Sequence, residues 1–195
     1  MYSGILISHA AHWLSAVLLW CLVYRMVNRT GRARQQLATT AAVLHIISPA
    51  GVFLSAPQSE SLFSFLNMLG FLLYTVGSQQ SVQGQSVLGG VKTVAAGAVF
   101  GCATVVRSNG ILSGLLFLWE ACTAVPLILA DGFSWARLLR LTSVVFGGLL
   151  VGAGMLFPQY LAYRDFCFGR PPKTRRPWCN RTIPAIYSWV QSHYW

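Results

Sequence analysis

The sequence predicts an all-α integral membrane protein, a multi-span helical bundle with about six transmembrane helices. Only 9% of the 195 residues are charged and 55% are hydrophobic, with a mean hydropathy of +0.57. A soluble domain carries roughly 25% charged residues. The apolar residues also gather in blocks near the length that crosses a bilayer, about 20 residues each. No block shows a strict amphipathic stripe, as expected of helices whose outer faces meet lipid.

Six blocks follow one another, at residues 4–24, 37–54, 61–76, 86–106, 111–130 and 138–157. The first lacks a basic leading region and runs past twenty residues, so it reads as a span rather than a cleaved leader. It holds His9 and His12 on one helix face; with His45 in the second block, their spacing suits helix–helix hydrogen bonding better than a metal site. The stretch "HIISPAGVFLSAPQSESLFSFL" breaks the apolar run with Pro49, Gly51, Pro57 and Glu60. Proline stops a helix, and a carboxylate at the start of the next one complements its dipole. Glu60 is therefore expected at a helix start, paired with a cation or serving as a base. The small residues of "AAGAVFGCA" and "GGLLVGAG" let neighbouring helices approach closely. Between the fourth and fifth blocks, "RSNG" is expected to form a tight turn with Gly110 at positive φ. Its Arg107 either reaches lipid headgroups or holds a phosphate through its two-pronged guanidinium. Residues 1–157 thus read as a transmembrane helical region with short loops, and residues 158–195 as a lumenal or interfacial segment with cysteines and aromatics.

The net charge of +10 comes from twelve Arg and two Lys against Glu60, Glu120, Asp131 and Asp165. The basic residues lie in short loops beside the spans, which is membrane anchoring and excludes a nucleic-acid partner. Six spans would put the segments around Glu60, Arg107 and the tail on one side, opposite the basic loop at residues 25–36. A cytoplasmic position for that loop makes the tail lumenal, where Cys167 and Cys179 can form a disulfide. Cys21, Cys102 and Cys122 are expected to pack inside the bundle. There is no D-x-D pair, no G-x-x-x-x-G-K-[ST] loop and no Cys/His zinc spacing, so no cofactor or metal site is expected.

The motifs "SHAAHWLSAVLL", "LHIISPAGVFLSAPQSESLFSFLNMLGF", "ATVVRSNGILSG", "FPQYLAYRDFC" and "RPWCNRTIPAIYSWVQSHYW" occur in this order. Together they resemble the GPI mannosyltransferase 2 family, over nearly the whole chain. The resemblance implies a GT-C-like fold, residence in the endoplasmic-reticulum membrane and transfer of a second, α1,6-linked mannose from dolichyl-phosphate mannose to the GPI precursor. It implies a lipid-linked donor, a GPI acceptor and surrounding membrane lipid as partners, with room for an accessory membrane subunit. By motif it suggests Glu60 as a catalytic candidate. It suggests Arg107, Asn109, Gln159, Tyr163, Arg176, Trp178, Tyr187, Gln191, His193 and Tyr194 as substrate-binding candidates. Family members carry their usual acidic residue in a lumenal loop that precedes the matched region, so the chain is expected to be a fragment. A catalytically inert membrane subunit and a transporter are the competing readings; the gathering of polar residues at one surface weighs against the transporter.

Overall fold

The architecture is seen in a computed structural model, which describes residues 2–28, 30–48, 56, 58–132, 134–171, 174–181 and 184–194. Helix α1 (Tyr2–Met26) is followed by α2 (Gly31–Ile46), α3 (Ser59–Val82), α4 (Ser86–Val106), α5 (Gly114–Asp131), α6 (Trp135–Phe166) and α7 (Ile186–Tyr194). Short 3-10 helices occupy Ser108–Ser113 and Pro177–Asn180, and no strand occurs among the described residues.

Among the described residues, five helical segments of the six expected are long and apolar enough to cross a membrane: Ser3–Met26, Ser59–Val82, Ser86–Val106, Ser108–Ala130 and Trp135–Phe166. The difference lies in α2. It starts at Gly31, before the apolar block, so its first turns are polar, and its 16 residues reach only about 24 Å against about 30 Å of hydrocarbon. The remainder of that block, residues 49–54, lies outside the described residues. Helix α2 still returns along α1. Trp20 donates to Thr39 at 3.2 Å, Ser15 and His45 meet at 3.0 Å, and Arg34 donates to the Tyr24 carbonyl. The His12 and His45 rings lie 5.3 Å apart, the helix–helix contact expected of these histidines.

Helix α4 is the centre of the bundle. It packs antiparallel to α3, where a Cβ on Gly77 would stand 2.8 Å from the Gly89 carbonyl and one on Gly70 would strike the Phe100 ring. Against α6 it runs parallel, with close approaches that climb together along both helices. A Cβ on Gly97 would lie 2.4 Å from the Gly147 backbone, and one on Gly154 would lie 2.2 Å from the Gly101 carbonyl. This is the small-residue seam by which membrane helices gain contact area without help from water. Ala96, Phe100, Phe117, Val144 and Val151 form the buried core. Edge-on ring contacts run from Phe71 to Phe100 to Phe117, and from Tyr74 to Phe117.

Cys102 and Cys122 face outward and Cys21 is half-buried, so these thiols are not the core packers expected of them. Packing against the centre of the bundle is taken instead by glycine, alanine and threonine, which admit a neighbouring backbone. Helix α6 continues through Pro158 to Phe166, so the change from bundle to tail falls after Phe166 rather than at residue 158. An interior proline is tolerated in a membrane helix whose neighbours supply the missing packing and hydrogen bonds.

Candidate functional site

One end of the bundle gathers the ends of α3 and α4. Gln58, in extended backbone, precedes α3, and Glu60 is the second residue of that helix, as its sequence context predicts. At the end of α4, Arg107 leaves the helix with φ −146° and ψ 128°. Its guanidinium bonds the Glu60 carboxylate and lies 5.8 Å from the Phe63 ring centre. The two side chains are 35% and 31% exposed, so this ion pair keeps contact with its surroundings.

The turn after Arg107 is built differently from the expectation. Residues Ser108–Ser113 form a 3-10 helix, in which the Gly110 N–H donates to the Arg107 carbonyl at 2.9 Å. Positive φ occurs among the described residues at Gly31, Gly84, Gly132 and Gly169, not at Gly110. Gly110 answers a packing demand instead: a Cβ there would stand 2.7 Å from the Thr104 backbone. This contact and the buried hydrogen bond from Ser113 to Asn67, at 3.1 Å, hold the turn against α3 and α4. Arg107 is thereby presented from a braced support, and Glu60 orients it. A carboxylate engaged in this way serves first as the partner that aims the guanidinium.

The remaining candidates spread from the 3-10 turn through α6 to the tail. Asn109 is exposed beside Arg107. Gln159, on α6, is half-buried and donates to the Met155 carbonyl at 3.4 Å, while Tyr163 is exposed one turn further on. Arg176 is exposed and lies 5.8 Å from the centre of the Phe166 ring. Cys167 and Cys179 are joined in a disulfide, their Cα atoms 5.5 Å apart. Trp178, beside Cys179, is only 3% exposed. That burial corrects its expected role, because a ring packed into the tail offers no open face to a sugar. In α7, Tyr187 is half-buried and Gln191, His193 and Tyr194 are exposed; His193 stacks on Trp189 with 4.4 Å between ring centres. The structure thus brings Glu60 and Arg107 into contact, with Asn109 two residues further along the chain in the same 3-10 turn. Pro49, Ser55, Pro57 and Trp195, which belong to the matching motifs, lie outside the described residues.

Sequence reasoning missed a second ion pair. Arg140 of α6 grips Glu120 of α5 with two prongs, Nε to Oε1 at 2.5 Å and Nη2 to Oε2 at 2.8 Å. Tyr74 of α3 donates to Glu120, and Arg140 donates to Thr93 of α4, so four helices meet in one polar knot. The signal was present. Glu120 is an acid inside an otherwise apolar block, and an ionisable group at membrane depth is a functional candidate by default.

The comparisons with known proteins agree in one direction. The family described as Mannosyltransferase (PIG-V) matches residues 1–195. The chain is 42% identical to GPI mannosyltransferase 2 of Aspergillus oryzae over 99% of its own length and 44% of that protein. It is 37% identical to GPI mannosyltransferase 2 of Yarrowia lipolytica, over 100% of its length and 45% of that protein. With GPI alpha-1,6-mannosyltransferase 2 of Mus musculus the identity is 32%, over 98% of the chain and 38% of the mouse protein. The chain therefore spans less than half the length of the curated relatives it matches. No solved structure matches it. With the family pattern running from the first residue to the last across a bundle of membrane-length helices, the chain belongs to the PIG-V mannosyltransferase family.

Proposed function

We propose that this chain is part of a multi-pass membrane mannosyltransferase. It would add the second mannose, in α1,6 linkage, to the GPI precursor in the lumen of the endoplasmic reticulum, with dolichyl-phosphate mannose as donor. The observation that carries the reading is the family match over all 195 residues. Its relatives are GPI mannosyltransferases by name, which supports the acceptor pathway, and the mouse protein's name supports the linkage.

The chemistry suits the Glu60–Arg107 end of the bundle. The acceptor hydroxyl oxygen bonds to the mannose anomeric carbon as the bond from that carbon to the phosphate oxygen breaks. The hydroxyl proton passes to a base, and the lipid phosphate leaves with the electron pair. Charge grows on the phosphate during this step, and a guanidinium fixed in advance stabilises growing charge without reorganising. Arg107, aimed by Glu60 and braced by the 3-10 turn, is the group proposed for that task. Attack from the face opposite the phosphate turns a β-linked donor into an α-linked product. The sugar arrives already activated on its carrier, so this reading names no resident cofactor.

A complementation experiment tests it. The full-length gene, expressed in cells lacking the second GPI mannosyltransferase, restores GPI-anchored proteins at the surface. Arg107→Ala abolishes rescue while the protein stays inserted, and a precursor with one mannose accumulates. Failure of the wild-type gene to rescue would refute the proposed activity. Full rescue by Arg107→Ala would refute the site alone.

A further inference from the structure

The Glu120–Arg140 knot is not a closed structural unit. An arginine side chain carries five N–H donors. Three are engaged here: Nε and Nη2 on Glu120, and Nη1 on Thr93. Among the described residues the other two have no partner, although Arg140 sits within the apolar depth of the bundle. An unmet donor in a medium without water costs several kcal/mol. Both charged side chains keep some exposure, 14% for Arg140 and 23% for Glu120.

That exposure opens onto a cavity of about 380 Å³, at the end of the bundle opposite Glu60 and Arg107. Glu120 and Arg140 line it, together with Ser78, Ser81 and Ser86. Arg137 lines it as well, and its other walls are apolar. Val82 and Leu127 belong to them and are 86% and 56% exposed, so the wall continues into the outer surface of the bundle. Polar side chains, two arginines and a glutamate among them, thus gather on one part of the lining, and apolar surface leads away from it. An apolar pocket of a few hundred Å³ with a few converging polar groups is the usual form of a small-ligand site. The matching ligand has acceptor oxygens at its head and an apolar body.

We propose that this cavity binds the phosphate-bearing headgroup of a membrane lipid, with a phosphate oxygen on the spare N–H groups of Arg140 and the chains along the Val82–Leu127 wall. The guanidinium geometry matches phosphate oxygens, and hydrogen bonds to charged oxygens are about twice as strong as neutral ones. The site is separate from the Glu60–Arg107 end and does not depend on the proposed sugar transfer.

Native mass spectrometry of the full-length protein in detergent tests this. Phosphatidic acid is titrated in, with diacylglycerol as the phosphate-free lipid and inorganic phosphate as the lipid-free anion. The expected result is one tightly held phosphatidic acid, with neither control binding nor displacing it. Ala124→Phe and Ala136→Phe, which fill the cavity from its walls, lower retention by about tenfold, the effect of one lost charge-assisted hydrogen bond. Their size-exclusion profile and melting temperature match the wild type. The double variant Glu120→Gln with Arg140→Gln keeps hydrogen-bonding groups but removes the Arg140 guanidinium while Arg137 stays, and it lowers retention as well. Equal retention in the filled variants or in the double variant would overturn the site, as would a wild type that holds no phosphatidic acid. Diacylglycerol binding equally well would remove the phosphate from the assignment, and displacement by inorganic phosphate would remove the lipid.

Discussion

Arg107 and Arg140 each hold a glutamate, and their surroundings give the two pairs opposite consequences. The Glu60–Arg107 pair is about one-third exposed, so breaking it costs little fold stability, about 0–1 kcal/mol. Its loss is expected in transfer. Arg107→Ala lowers the rate by roughly 10²–10³, the effect of removing one group aimed at growing charge. Arg107→Lys keeps the charge but not the fork and restores only part of the rate. An in vitro assay of mannosyl transfer to the one-mannose precursor, run beside a melting curve, separates these outcomes. Arg140 is different. Arg140→Ala leaves half-buried Glu120 without its cation, and a charged group that loses its hydrogen-bonding partner costs about 1–3 kcal/mol. Replacing both partners, Glu120→Leu with Arg140→Met, is expected to be far milder, because no charge is stranded. Thermal unfolding in detergent checks this, and the idea fails if the double variant melts as low as Arg140→Ala. Glu60 and Arg107 were each legible in the sequence because "RSNG" and "SAPQSE" interrupt apolar runs, while their contact was one of several pairings open to Glu60. The second pair was hidden by its register, since no local pattern shows that Glu120 and Arg140 face each other across a helical hairpin.

At the scale of the helices, the sequence yielded existence better than ends. The blocks at residues 61–76, 86–106 and 111–130 became α3, α4 and α5, because a membrane helix must satisfy its backbone within itself and its apolar length is written in composition. The start of α2 at Gly31 was not legible, since Arg32, Arg34, Gln35 and Gln36 look like loop yet continue the helix beside α1. Residue type gave the α4–α6 seam, but only the structure separates the glycines that carry contact from those that do not. Gly101→Val is expected to destabilise by about 1–3 kcal/mol, because its new atoms would meet the Leu150 carbonyl, 2.7 Å from a Cβ at that position. Gly152 has nothing within 4 Å, and Gly152→Ala is expected to stabilise by about 0.5–1 kcal/mol through helix propensity. A pair of melting curves decides it, and equal shifts would mean that the seam is looser than described.

For the whole molecule, the helix directions put Glu60, Arg107 and the disulfide-bonded tail at one end of the bundle, with the α3–α4 and α5–α6 connections at the other. Single cysteines introduced at Asn109 and Thr174 are expected to label from one side of the membrane, and a cysteine at Gln85 from the other. Labelling of Asn109 and Gln85 from the same side would break the topology. Cys167 and Cys179 are expected to take up a thiol reagent only after reduction, as their bond requires. The tail was legible as cysteine-bearing and aromatic, but the burial of Trp178 was not, because composition cannot tell a stacking platform from a packing wedge. The glycine seam also governs how the protein can breathe. Helices α4 and α6 touch backbone to backbone and form a spine that neither slides nor parts without a steric penalty. Helix α5 meets that spine through the Phe117 ring and the Glu120 carboxylate. Any movement of α5 against α4 and α6 therefore has to part the Phe117 and Glu120 contacts, while the spine stays still.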